Sequence, residues 1–460
     1  MSEHSDDDTP DLPPELERLL RDLTGGDVDP QLASMMQGMG LDRVDPQMLQ
    51  MVMGQVQAMF TGPASDTALD ATRATDTARQ TVSAAGDALA TDADRRAAAE
   101  AVTVADLWLS AVTDLASPAL HGTAWSRVEW VEATMPVWAG LVEPVAEGVT
   151  DALTTVMQKQ LGDMPEGALP PQMAGMMDQA APMLRRMHGS LFSLQLGQGV
   201  GTLAGEVVTG CEVSLPLVSP PDVVLMPQAV RELAGGLEVD EDQTRLYLAV
   251  REVARVRLFH AVPWLAPGLL AAVRDYAGDI TIDTDAMEEA VRSIDPSDPQ
   301  AVQEALQGNM FAPQPSPAQR SALTRIETLL ALVEGWVDVV TERATSNHLP
   351  AADALGEAVR RRRATGGPAE KAFGALVGLE LRPRRLRDAA NLLRDLEDSG
   401  EAGARDGAWR HPDLAPSAAD LDDPLGYVER ATAGASDDLD AELDALLRGE
   451  EGGEADPGRA

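Results

Sequence analysis

The stretch "LAVREVARVRLFHAVPWL", Leu248–Leu265, decides how the rest of the chain is read. Leu246, Val250, Val253, Ala254, Val256 and Leu258 make the stretch mostly apolar, and a helix is expected from about Asp240 to Phe259. With about 3.6 residues per turn, Arg251 and Arg255 fall on one face, flanked by Glu252 and Arg245. Taken alone, the helix admits two readings. The polar stripe is either a solvated face or a charged site set inside an apolar helix.

A second stretch separates them. In "LLALVEGWVDVVTE", Leu329–Glu342, the carboxylate of Glu334 interrupts a strongly apolar run, and Asp338 follows one turn later. Glu327, Glu334, Asp338 and Glu342 share one helical stripe. An ionised carboxylate among so many apolar neighbours costs several kcal/mol unless it is paired or bound to a cation. Burial of Glu334 against a positive partner is therefore the expectation, on a helix from about Pro317 to Ala344.

Around these two helices the chain has room for a large core. It holds 460 residues, 44% of them hydrophobic, enough for two or three structural units. A net charge of −39 sets a field that repels nucleic acid and anionic membrane, so neither is an expected partner. Cys211 is the single cysteine, which excludes a disulfide framework within the chain and any multi-cysteine metal site. No basic-then-apolar leader and no 18-residue uncharged apolar run is found, and a cytoplasmic location is expected.

Three regions are expected. Residues 1–92 are polar and partly disordered, with a methionine-rich patch over 35–60; 93–432 form a helical domain; 433–460 form an acidic disordered tail. Within the domain, Trp108, Trp125, Trp130 and Trp138 lie in helical patterns punctuated by Pro136 and Pro144. Gly197, Gly201 and Gly205 recur every four residues, giving a smooth helix face for a close neighbour; a phosphate-binding loop would need a preceding strand and a lysine, and has neither. "CEVSLPL" and "DVVLMP" read as a β-hairpin or two edge strands near 211–227, with a further helix over Pro267–Ala277. The fold class is mainly α with a small β element. Two basic clusters, Arg360–Arg363 and Arg382–Arg387, are candidate anion sites, against the plainer reading that they pair with the chain's own 75 acidic residues.

The stretches "LQLGQGVGTLAGEV", "SLPL", "REVARVRLFHAVPWL", "LVEGWVDVV", "VGLELRPRRLRDAANL" and "WRHPDLAPSAADLDDP" together resemble a zinc-dependent metalloprotease and hydrolase family common in actinobacteria. That resemblance implies a zincin-like, gluzincin-type core. In that plan H-E-x-x-H supplies two zinc ligands and a general base, and a glutamate on a second helix supplies the third ligand. Glu252 then matches the general base and Glu334 the third ligand, while Arg251 and Arg255 stand where the histidines belong.

The departure removes the metal chemistry. Catalytic zinc needs neutral imidazole nitrogens and lowers the pKa of its water to about 7, whereas guanidinium has donors only and stays charged. Two arginines nonetheless bring the same +2 as one zinc ion. The expectation is a metal-free pseudo-peptidase in which Arg251 and Arg255 fork onto Glu334, and onto Glu252 or Asp338, with no cofactor and a protein or peptide partner. The alternative is an active hydrolase using Glu252 at a non-standard site, including a sparse metal site of Glu252, His260 and Glu334.

Overall fold

In the computed structural model of the protein, the structure describes residues 69–162, 189–278, 316–364 and 385–435. The methionine-rich patch, the tail beyond 435, and Arg382 and Arg384 of the second basic cluster lie outside the described residues.

Local chemistry fixes where the helices begin. Helix α1 (Ala71–Ala85) starts at Asp70, whose carboxylate accepts from the Thr72 and Arg73 amides. Helix α2 (Asp92–Leu109) opens on a reciprocal capping box between Thr91 and Asp94. Strand β1 (His121–Ala124) leads into α3 (Arg127–Gly162). That long helix runs through Pro136 and Pro144 rather than breaking at them. Each proline costs about 3 kcal/mol in a helix interior. The offset is one deeply buried stripe of Trp130, Val131, Met135, Trp138, Leu141 and Val142.

Helix α4, described over 189–204, lies against α1 along its glycine face. A Cβ on Gly197 would sit 2.5 Å from the Ala74 carbonyl oxygen, and one on Gly201 would sit 2.7 Å from Thr81 Cβ. Gly197 and Gly201 thus serve close packing, as their spacing predicts, whereas Gly205 lies in the turn past the helix end, where a Cβ would meet only the Thr202 carbonyl oxygen. The packed body accordingly includes residues 71–85, N-terminal to the domain start expected at 93.

The hairpin expected near 211–227 does not form. Strand β2 (Asp222–Leu225) pairs in parallel with β1, His121 opposite Asp222 and Ala124 opposite Leu225. Residues 211–217 form a turn, a bend and irregular chain but no strand, and the nearest ladder is a single bridge between Thr209 and Leu225. The reason is where that segment's polar groups go. The Cys211 amide and the Ser214 hydroxyl both bond to buried carboxylates, and Ser214 turns through a left-handed φ of 63°.

Helices α5 (Pro227–Leu237), α6 (Glu241–Ala261) and α7 (Leu265–Gly278) follow. Helix α8 (Pro317–Thr345) opens on a Ser316–Gln319 capping box with proline at its first position. Then come α9 (Ala352–Ala364), α10 (Arg385–Gly407), a short 3-10 turn at Pro412–Leu414, α11 (Ala418–Asp422) and α12 (Pro424–Ala435). The fold is mainly α with a small β element. Helix α6 is central, packed by α2, α5, α8, α9 and β2, while α8 is backed by α7 and α10. Among the described residues no single helix is long and apolar enough to cross a membrane.

Candidate functional site

Because α6 is enclosed from Tyr247 to Phe259, the charged residues of that stretch cannot form a solvated stripe. Arg251 is 2% exposed, Glu252 0%, Arg255 1%, and Glu334 on the facing α8 4%. Buried charges persist only when each is paired and hydrogen-bonded.

The pairing is dense. Arg251 reaches two carboxylates one turn apart on α8: Nη2 donates to Glu334 Oε2 at 3.0 Å and Nη1 to Asp338 Oδ1 at 3.1 Å. Arg255 takes Glu334 side-on, with Nε on Oε1 at 2.8 Å and Nη2 on Oε2 at 3.3 Å. Its remaining Nη1 donates to Glu252 Oε2 at 3.1 Å. All four residues expected to meet Glu334 or each other across the two helices are brought together.

The loop between α4 and β2 closes the site from another side. The Cys211 amide donates to Glu252 Oε1 at 2.6 Å, and the Ser214 hydroxyl donates to Glu334 Oε1. Gly210 is needed for this approach, since a Cβ there would lie 2.9 Å from Val218 Cγ2 and 3.2 Å from Glu252 Oε1. The Gly210 carbonyl is held by Trp130 Nε1 at 3.0 Å. Burial pushes the pKa of Glu252 up, against the pull of Arg255 and the Cys211 amide. Burial, helped by the Glu252 carboxylate, likewise pushes the Cys211 thiol up and keeps it protonated.

Helix α9 supplies a third layer. Arg363 pairs with Glu334 and donates from Nη2 to the Glu212 carbonyl at 3.4 Å. Arg360 lies 3.6 Å from Asp338 and 3.5 Å from Glu357, Arg361 2.7 Å from Glu357, and Arg362 3.7 Å from Glu212. The arginine run is thus tied to the chain's own acceptors. In the second cluster, Arg385 pairs with Asp422 at 2.6 Å.

Sequence spacing gave no sign of Ser214, of the Cys211 amide, or of the way Arg363 enters the site. The available signals were "SLPL" and the unusual density of arginine in Arg360–Arg363. A second buried node was also missed. The fully buried Arg405 holds Asp406 at 2.9 Å, Glu397 at 2.9 Å and the Val112 carbonyl at 2.7 Å, while Asp406 accepts from Trp336 Nε1 at 2.9 Å and Thr113 at 2.6 Å.

These residues do not suit zinc. Arg251 and Arg255 present N–H donors where lone pairs are needed, and both Glu334 oxygens already accept from them. His260 is exposed near the C-terminal end of α6, about two turns beyond the buried Glu252, so it does not join Glu252 and Glu334. Among the described residues no group of three or more histidine, cysteine or acidic side chains is placed to hold a metal ion.

Comparison with solved structures finds a protein from Chloroflexus aurantiacus, described as a candidate hydrolase with a novel fold, at a TM-score of 0.53. The two are 17% identical over 79% of this chain and 98% of that one, a likeness of fold. No curated protein matches. The model of the zincin-like metallopeptidase family matches residues 69–428, spanning α1 to α12 and every residue of the charged site; the chain belongs to that family.

Proposed function

We propose that this protein is a metal-free pseudo-peptidase, a zincin-type scaffold that binds or organises a protein or peptide partner in the cytoplasm. The observation that carries this reading is the fork of Arg255 onto Glu334, joined by Arg251 at the positions the family plan gives to metal-binding histidines. Two fixed guanidinium groups supply the +2 of a divalent cation and hold α6 to α8, without a water to activate and without an open coordination position. Nucleic acid and membrane are not among the proposed partners, given a net charge of −39.

Metal analysis of purified full-length protein, with a general peptidase assay run with and without chelator, tests the reading. It expects less than stoichiometric zinc and no chelator-sensitive cleavage. Stoichiometric zinc would overturn it.

One observation favours a second reading, a hydrolase acting through Glu252. Burial raises the pKa of that carboxyl, which is how a general acid or base is tuned toward neutral pH. Against it, both Glu252 oxygens are engaged, by the Cys211 amide and by Arg255. Cleavage that survives chelator but disappears in Glu252→Gln would establish this reading in place of the first.

A further inference from the structure

The stretch "WRHPDLAPSAADLDDP" is among those that carry the family resemblance, yet it takes no part in the charged site. It runs from the end of α10 through the 3-10 turn at Pro412–Leu414 into α11 and α12. Both sides of that turn are anchored. Trp409 is buried, stacks on Trp264, and accepts from Trp264 Nε1 on its carbonyl at 3.0 Å. The Leu414 carbonyl accepts from the Tyr427 hydroxyl of α12. Between the two anchors stands His411, its side chain 62% exposed and open to protons from solvent.

His411 meets Asp413 through two contacts that no single protonation state satisfies together. Nδ1 accepts from the Asp413 amide at 3.2 Å, which caps the 3-10 turn, and the same atom lies 3.4 Å from Asp413 Oδ2. The first contact needs a lone pair on Nδ1, hence a neutral ring with its proton on Nε2. The second is attractive only when Nδ1 carries a proton, and that proton repels the amide N–H. A fall in pH therefore exchanges one bond for the other. The exposed His121 and His348 differ in this respect. His121 lies 3.0 Å from Asp222, and His348 stacks on Trp108 with ring centroids 4.5 Å apart. In both, a proton only adds attraction to a contact already made.

The charged groups on the neighbouring helices are engaged elsewhere. On α11, Asp420 pairs with Arg430 of α12, and Asp422 pairs with Arg385 of α10. Asp423 accepts from the Gly426 amide, and Tyr427 donates to Leu414. Arg410, exposed beside His411, makes no printed-range ion pair among the described residues and keeps its charge at every relevant pH. Among the described residues, Asp413 is thus the carboxylate within pairing distance of the imidazole.

We infer that His411 is a pH-operated latch between α10 and α11: the neutral imidazole caps the Pro412–Leu414 turn through the Asp413 amide, and protonation turns the ring to the Asp413 carboxylate and frees that amide. The freed turn carries the Leu414 carbonyl, so its hold on Tyr427 and α12 slackens as pH falls through the range in which histidine takes up a proton. This latch lies outside the charged site and does not depend on the pseudo-peptidase reading.

The test uses full-length protein labelled with 15N, in which the ring nitrogens of the six histidines report their protonation by NMR and the exchange of the Asp413 amide with water reports the turn. His411→Asn keeps a side-chain acceptor at the cap position at every pH. Asp413→Asn keeps the amide and removes the carboxylate. In wild type, Nδ1 of His411 is expected bare at about pH 7.5 and protonated at about pH 5.5. The exchange rate of the Asp413 amide, taken relative to His411→Asn at the same pH, should rise about fivefold between those two values, which corresponds to the loss of one cap. Asp413→Asn should move the His411 titration to lower pH, because the imidazolium loses its carboxylate.

A relative exchange rate that stays constant with pH overturns the latch. So does an Nδ1 that already carries its proton at about pH 7.5, since the contact with Asp413 is then the same hydrogen bond to the carboxylate in both states. A His411 titration identical in wild type and Asp413→Asn overturns the exchange between two partners.

Discussion

Arg255 grips Glu334 side-on across 79 residues of sequence, Nε to Oε1 at 2.8 Å and Nη2 to Oε2 at 3.3 Å, while its third nitrogen turns back to Glu252 on its own helix. One side chain therefore serves two buried carboxylates. Truncation to Arg255→Ala leaves both short of their main cation and is expected to cost about 3–5 kcal/mol in urea denaturation. Arg255→Lys keeps the charge but loses the fork, and should recover only part of that loss. Wild-type stability in the alanine variant would contradict a stabilising role for the Arg255 fork.

Cys211 reports on the integrity of the site. Its thiol is buried and held protonated beside Glu252, so alkylation at mildly alkaline pH should be slow in the native protein and fast after unfolding. Arg255→Ala should accelerate labelling by loosening the Glu252 carboxylate that receives the Cys211 amide. Rapid labelling of the native wild type would contradict the burial described.

The C-terminal helices carry an alkaline limit. Burial, aided by Asp420, raises the Tyr427 phenol from its ordinary 10.0 to about 12, and its hydroxyl donates to the Leu414 carbonyl. The folded state therefore holds this proton more tightly than the unfolded state does. The contribution is complete below pH 10.0 and is lost as pH rises through about 12. Thermal melts over that range should fall more steeply for wild type than for Tyr427→Phe. Parallel curves would count against the assignment.

Two glycines should tolerate no methyl group. A Cβ on Gly197 would press within 2.5 Å of the Ala74 carbonyl oxygen, and one on Gly335 within 2.8 Å of the Ala390 amide nitrogen, backbone atoms that cannot swing aside. Gly197→Ala and Gly335→Ala are each expected to lower stability by about 1–3 kcal/mol, despite the better helix propensity of alanine. Gly140, with nothing within 4 Å, is the control, and Gly140→Ala should be neutral or stabilising.

Much of the site was legible because it sits on two helices whose patterns are local. The mostly apolar stretch around Arg251 and the apolar run around Glu334 pointed to α6 and α8, and the misfit of Glu334 among apolar neighbours called for a cation that Arg251 and Arg255 supply. The glycine face of α4 was legible for the same reason, since residues four apart share a face whatever lies opposite.

The β pairing was not legible. Two short extended runs close in sequence suggest a hairpin, yet β2 pairs with β1, 101 residues distant at the His121–Asp222 contact. The intervening segment instead gives its amide and hydroxyl to Glu252 and Glu334. Nor did Arg360–Arg363 reveal which of its four arginines would pair with Glu334.

By itself, then, the sequence determined the central helices, the charge placed inside them and the absence of imidazole at the two expected ligand positions. Helical periodicity and burial cost act over three or four residues. Only the tertiary structure decided that Ser214, the Cys211 amide and Arg363 converge on those charges. Their partners lie 120, 41 and 29 residues away, and the balance of desolvation against pairing that selects them exists only once the chain has closed around the site.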